Sequence, residues 1–343
     1  MESPEGDRSP AARRATRQAV RQRRPGVARL LALLRVVAAV AILAWLVGLV
    51  GLEGVLNRIG TCPPAYALAA LVAALSSQWL AAFRLALLAR AQQFVLSKME
   101  ALAIGLSAVF YGLFVPGGSA TGWVVRLLRL SRGTSRLGPA LRLLAGDRAL
   151  ATATGAGIGA VAGLAMSGSG SPWVLGMLLA VTAGASLLSL ALFAYSADRW
   201  LARAGRVPVL DRIAALIRIR GDSQRRPEPA TVILAVALSL AAHAIGVLTW
   251  LILAFAVGVS LEPWSIAWIR SAAMVVTLLP ATVGGLGLRD GAVVYLMGLI
   301  GLAAADALAL SLLVFAVTVF AIGMLGGLFE AYGLLTRRRS SVV

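Results

Sequence analysis

The stretch LLPATVGGLGLRDG, residues 278–291, breaks an apolar run that extends from 264 to 302. Pro280 has no N–H to offer a helix, and its ring clashes with the preceding turn, so a helical arm ends there. Gly284, Gly285 and Gly287 tolerate positive φ and let other groups approach the main chain closely. A second arm starts near Arg289, leaving unpaired N–H groups and the positive end of its dipole at the break. At membrane depth such a break survives only where protein or a wet cavity satisfies the freed backbone groups. The stretch therefore reads as the tip of a helical hairpin rather than the middle of a spanning helix.

Composition places the chain in a membrane. Of its 343 residues 59% are hydrophobic and 13% charged, where a soluble domain carries about 25% charged residues. Several apolar runs reach the roughly 20 residues that span a bilayer. The formal net charge is +18, but the basic residues sit in loops between apolar runs and not on one soluble face, so nucleic acid is not the expected partner. All but one of the 32 basic residues are arginine, Lys98 being the exception. With the richness in Ala, Gly and Val, this reads as a GC-rich bacterial genome. Cys62 and His243 are each alone, which rules out an internal disulfide or a Cys/His metal or nucleophile site. Neither cofactor nor metal is expected.

The arginines set the topology. Apolar runs cover roughly 30–52, 65–83, 101–125, 149–166, 173–195, 230–256, 264–302 and 307–335. Basic residues gather in the segment 1–29, in 84–100, in 126–148, in 198–229 and at Arg337–Arg339, whereas the loops 53–64, 167–172, 257–263 and 303–306 hold only Arg58. Loops rich in arginine stay cytoplasmic. Run 101–125 then has both flanks inside and run 264–302 both flanks outside. The expected fold is an all-α polytopic membrane protein, with about six spanning helices and two re-entrant helical hairpins of opposite orientation. Residues 1–29 read as a disordered basic cytoplasmic tail, 30–335 as the transmembrane domain, 198–229 as a cytoplasmic loop and 336–343 as a second cytoplasmic tail. Two ordinary spanning helices kinked at proline would instead put the six basic residues of 126–148 outside.

The first hairpin has its own tip, FVPGGSATGW (114–123). Pro116 and Pro280 are 164 positions apart, and the preceding runs begin 165 apart, at 65 and 230. The order span, span, hairpin, span thus occurs twice in opposite senses, with halves of about 30–166 and 173–335. Inverted repeats with broken helices meeting near the midplane are a transporter design. Two opposed helix N-termini with an arginine near each would form an anion site.

The candidate substrate-binding residues are Arg289, Asp290, Gly284, Gly285, Gly287 and Pro280 at the second tip, and Arg126, Pro116, Gly117, Gly118, Ser119 and Thr121 at the first. For Arg289–Asp290 the alternative is a structural ion pair that pins the tip. Asp147–Arg148 reads as an interfacial salt bridge at the start of the span at 149, or as part of a polar path. Ser77, Gln78 and His243 are further candidates for that path, with helix–helix hydrogen bonding as the plainer reading. Arg35, Arg84 and Arg270 lie near span ends, where they would snorkel to the interface. Residues 154–163 and Gly326–Gly327 read as small-residue packing faces. LDRIAALIRIR (210–220) reads as a short helix on the inner leaflet.

LLPATVGGLGLRDG resembles the P-x-x-x-G-G-x-G-x-R-E signature of a flippase-like membrane family that includes the transmembrane domain of lysylphosphatidylglycerol synthases. FVPGGSATGWVVRLLRLSR (114–132) is similar to that family's P-G-x-x-G-G-x-x-x-R segment, and AGDRALATATG (145–155) to its E-R segment. The first motif keeps Pro116 and Gly117 but has Ala120 and Thr121 where paired glycines fall, with Gly118 or Gly122 as substitutes. Asp290 and Asp147 stand where the family has Glu. The chain ends eight residues after Leu335, so no acyltransferase domain is expected. The resemblance implies a lipid flippase of the bacterial cytoplasmic (inner) membrane, carrying an anionic phospholipid or polyprenyl-phosphate-linked headgroup, with Arg289 and Arg126 gripping phosphate. No catalytic set is present, so a transporter is expected rather than an enzyme. Anionic membrane lipids, a lipid-modifying enzyme and a second copy of the chain are the partners to consider. The alternatives are a scaffold subunit for a lipid-modifying or glycosyl-transferring enzyme, and a small-anion transporter.

Overall fold

The computed structural model describes residues 25–115, 118–131, 137–166, 181–182, 184, 228–277 and 285–340. Every element among them is a helix. α1 (Pro25–Val50) and α2 (Leu52–Gly60) meet at Gly51, whose φ of +89° allows a 90° bend between them. α3 (Pro64–Ala91) begins on a proline, whose missing N–H costs nothing in a first turn. α4 (Lys98–Phe114) opens with a capping box: the Ser97 hydroxyl accepts from the Glu100 N–H and the Glu100 carboxylate accepts from the Ser97 N–H. α5 (Ser119–Leu130), α6 (Leu137–Ala165), α7 (Pro229–Ala256), α8 (Pro263–Val276), α9 (Leu288–Leu299) and α10 (Ala304–Phe315) follow. A π-helical turn at Ala316–Ala321 joins α10 to α11 (Ile322–Ser340).

Among the described residues three helices are long and apolar enough to cross a membrane: α3, α7 and the continuous rod 304–333. The bent pair α1–α2 makes a fourth if it is one span. The outer faces agree with a lipid surround. Trp45, Leu49, Leu68, Ile233, Phe255, Leu328, Phe329 and Tyr332 are exposed, a density of large apolar groups that a soluble monomer does not display.

Several expectations shift. α1 begins at Pro25, so residues 25–29 are helical and not part of a tail; 1–24 lie outside the described residues. The helix expected to start at 149 starts at Leu137, which puts Asp147 and Arg148 inside α6 and not at its end. α11 carries the segment expected as a tail on to Ser340. Most of the run 173–195, the loop 198–227 and the short helix at 210–220 lie outside the described residues.

α3 and α7 pack closely along each other. α4 and α5 fold back on one another, so tightly that a Cβ on Gly122 would stand 2.3 Å from the Ala108 carbonyl oxygen. The glycine-rich faces do pack closely. Gly155 and Gly159 of α6 receive Met274 and Ser271 of α8, while Gly326 and Gly327 of α11 receive Leu106 and Phe110 of α4. Bare backbone at these positions lets the helices approach within the thickness of a methyl group.

Candidate functional site

Arg289 and Asp290 open α9. The Gly287 N–H donates to Asp290 Oδ2 at 2.8 Å and thereby caps the helix. Asp290 Oδ1 accepts from Arg289 Nη2 and from the Ser311 hydroxyl of α10, each at 2.6 Å. Arg289 Nη2 also donates to the Ser311 carbonyl at 3.0 Å, and its guanidinium stands 5.5 Å from the Phe315 ring centre. Asp290 has 0% and Arg289 5% of its surface exposed, so the pair locks the start of α9 onto α10. Gly285 and Gly287 have φ of +83° and +82°, the left-handed backbone that glycine was expected to supply. Pro280 and Gly284 lie outside the described residues.

At the first hairpin, Gly118 has φ +59° and caps α5. Thr121 is half-buried in the first turn of α5, whereas Pro116, Gly117 and the side chain of Ser119 lie outside the described residues. Arg126, one turn beyond Gly122, has Asp147, Arg148 and Arg84 as its charged neighbours. Asp147 pairs with Arg84, whose Nε donates to Oδ1 at 2.8 Å. Arg84 Nη1 donates to the Ser239 hydroxyl at 2.7 Å, and that hydroxyl bonds Thr154 Oγ1 at 2.7 Å. Arg84 and Asp147 are each 5% exposed. Arg84 therefore does not snorkel: α3 runs seven residues past it, two turns farther than its apolar run suggested. Three arginines share one carboxylate here.

A third polar region lies between α3, α7, α8 and the π turn. A cavity of about 220 Å³ is lined there by Ser77, Gln78, Thr249, Arg270 and Thr318. Arg270 does not snorkel either. Its guanidinium lies flat on the α7 backbone, where a Cβ at Gly246 would stand 2.3 Å from Nη2. Arg270 Nη1 donates to His243 Nδ1 at 3.2 Å, and His243 Nε2 lies 2.9 Å from the Ala151 carbonyl. A guanidinium only donates, so Nδ1 accepts and Nε2 carries the proton. Both ring nitrogens are thus engaged in holding α6, α7 and α8 together. The Ser77 hydroxyl likewise donates to the Ala242 carbonyl, across the α3–α7 contact. The side chain of Arg35 lies outside the described residues.

The two hairpin arginines were expected to face each other, and the structure gives them separate surroundings. Arg289 is sealed among Asp290, Ser311 and Phe315, whereas Arg126 belongs to the Arg84–Asp147–Arg148 group. Asp147 pairs with Arg84 and not with its neighbour Arg148. Sequence reading missed Arg84, Arg270, Ser239 and Thr154 as interior groups. The one available signal for Arg270 was Gly246 in mid-helix, a position where glycine weakens a helix unless something must lie against it.

Apolar helices with lipid-compatible outer faces around a buried, arginine-rich interior define a polytopic membrane protein. The lysylphosphatidylglycerol synthase TM region matches residues 32–326, and the chain belongs to that family. A search of curated proteins gives no match.

Proposed function

We propose that the protein is a lipid transporter that moves an anionic headgroup across the bacterial cytoplasmic membrane while the acyl or prenyl chains stay in the bilayer. The observation that carries this reading is the excess of positive charge around Asp147: half-buried Arg126 and exposed Arg148 stand beside a buried Arg84–Asp147 pair that is already neutral. Ionisable groups at membrane depth are expensive and mark pathways, and surplus positive charge leading from an exposed arginine to a buried pair selects an anion. Family membership agrees with a lipid substrate.

The same reading includes an inverted repeat with re-entrant hairpins, both termini being cytoplasmic. It is supported by the element lengths: α3 and α7 are both 28 residues and start 165 positions apart, at Pro64 and Pro229, and α4 and α8 start at 98 and 263. It is supported too by the reciprocal packing, in which the glycine face of each half receives the first hairpin helix of the other. The protein needs no cofactor and performs no covalent chemistry in this reading. The lipid gradient, an ion gradient or a downstream reaction drives net movement.

Liposomes carrying labelled phosphatidylglycerol, phosphatidylethanolamine or a polyprenyl phosphate test the proposal. Wild type moves an anionic lipid, and Arg126→Ala slows that movement by roughly tenfold or more, the loss of one charge-assisted contact to phosphate. Size-exclusion profiles confirm that the variant remains folded. No movement of any lipid by wild type would refute transport and leave a scaffold role. Equal rates for wild type and Arg126→Ala would remove that residue from the path.

A further inference from the structure

The cavity beside Arg270 has a counterpart in the other half of the molecule, and there the space is filled. With α3 and α7 related by 165 positions, Arg84 corresponds to Thr249 and Ser239 to Ala74. Arg84 donates to Ser239 on one side of the α3–α7 contact; Thr249 and Ala74 both line the cavity on the other. Ser77 and Ala242 are exchanged onto each other by the same relation, and their hydrogen bond marks the axis. A threonine in place of an arginine leaves the volume of a guanidinium and its stem unoccupied. A cavity of about 220 Å³ borders that threonine.

The charge is supplied from elsewhere. Arg270 enters from α8, lies on the bare backbone at Gly246 and spends Nη1 on His243. Its ion-pair situation differs from that of Arg58, Arg84, Arg129 and Arg289, which each meet a carboxylate. Among the described residues Arg270 has the His243 imidazole as its hydrogen-bonding partner, and it lines the cavity. The Gln78 amide adds N–H donors. The Thr249 and Thr318 hydroxyls now donate to carbonyls one turn back, those of Ile245 and Val314. Those carbonyls also accept within the helix, so each hydroxyl can rotate towards an incoming anion at little cost.

We infer that this cavity binds a tetrahedral oxyanion, with Arg270 as the charged ligand and Gln78, Thr249 and Thr318 as neutral donors. The anion is the phosphate of a lipid headgroup or a free phosphate ion. The inference rests on the pseudo-twofold relation proposed above and deepens the transport reading by naming where the phosphate sits. His243 serves as a positioning residue: its Nδ1 lone pair fixes the guanidinium, and its Nε2 proton ties the assembly to α6.

Calorimetric titration of the full-length protein in a neutral maltoside micelle tests it, with inorganic phosphate in one arm and dihexanoyl phosphatidic acid in the other. Wild type binds at least one of them. Arg270→Gln, close in shape but uncharged, weakens that binding by roughly tenfold or more, in line with loss of a charged hydrogen bond. Gly246→Ala does the same while keeping the arginine, because the new methyl displaces the guanidinium. Arg58→Gln, which removes an arginine at the surface, leaves binding unchanged, and all variants elute as wild type does. Binding of phosphate without the lipid supports the pocket and removes it from the lipid path. Binding of neither probe overturns the inference, as does equal binding by wild type and Arg270→Gln. Liposome movement is read separately, so loss of binding with normal lipid movement would leave the pocket standing and refute its place in transport.

Discussion

Asp147→Asn destabilises the solubilised protein by about 3–5 kcal/mol, the cost of removing one partner of a buried ion pair. Asp147 and Arg84 are 5% exposed, so neither can turn to solvent, and no second carboxylate borders the group among the described residues. Without Asp147, Arg84 is left as a buried charge with no carboxylate, and half-buried Arg126 and exposed Arg148 add repulsion from nearby. An asparagine keeps the shape and one acceptor for Arg84 Nε, which isolates charge as the cause. The paired replacement Arg84→Met with Asp147→Leu is much milder, since a buried pair exchanged for packed apolar groups is often neutral within a few kcal/mol. By contrast, Asp306→Asn breaks a pair whose Arg58 side chain is 48% exposed and costs about 1 kcal/mol at most. Denaturant unfolding in micelles measures all three. A cost for Asp147→Asn as small as that for Asp306→Asn would show that α6 and α3 are not held by this pair.

How far the sequence disclosed this interior depended on the kind of signal. Glycine beside proline is a backbone statement, and it was legible: Gly285, Gly287 and Gly118 all adopt positive φ where turns were expected. Charge was harder to read, because arginine at a membrane edge needs no partner to be explained, and Arg90, Arg129 and Arg142, expected in loops, lie in helices. Arginine within a helix was not legible. Arg84 and Arg270 stand near the ends of their apolar runs, and snorkelling explains such positions without any tertiary contact. Their inward course depends on Asp147, Ser239 and Gly246, which lie 63, 155 and 24 positions away respectively from the arginine each receives. No local pattern encodes such a meeting. The start of α6 was misplaced for a related reason: Arg142, Asp147 and Arg148 looked like a loop because the partner of Asp147, Arg84 on α3, was invisible in one dimension. Asp290 shows the opposite case. Its position three residues after Gly287 is a capping signature, legible as structure, and the closure of Arg289 around it follows from Ser311 on a different helix.

The fold-back of α4 on α5 gives the second large expected effect. Gly122→Ala places a methyl 2.3 Å from the Ala108 carbonyl oxygen and 3.1 Å from its carbon. Both atoms are backbone, so no side-chain rotation relieves the clash and the two helices must separate. Overpacking of this kind costs about 1–3 kcal/mol and occasionally more, and the rigid obstacle puts Gly122→Ala near 3 kcal/mol. The effect on transport is larger than stability alone predicts. Arg126 is four residues on from Gly122, on the same face of α5, with its guanidinium directed at α4 near Gly105. Separation of the helices withdraws that charge from Asp147 and Arg148. Gly157→Ala is the control, because nothing lies within 4 Å of its Cβ position, and in mid-helix alanine is favoured over glycine by up to about 1 kcal/mol. Melting curves therefore move in opposite directions, down for Gly122→Ala and slightly up for Gly157→Ala, and lipid movement falls for the first alone. Coincident melting curves would mean that α4 and α5 are not in backbone contact, and the hairpin would then have no means of holding Arg126 beside the acid on α6.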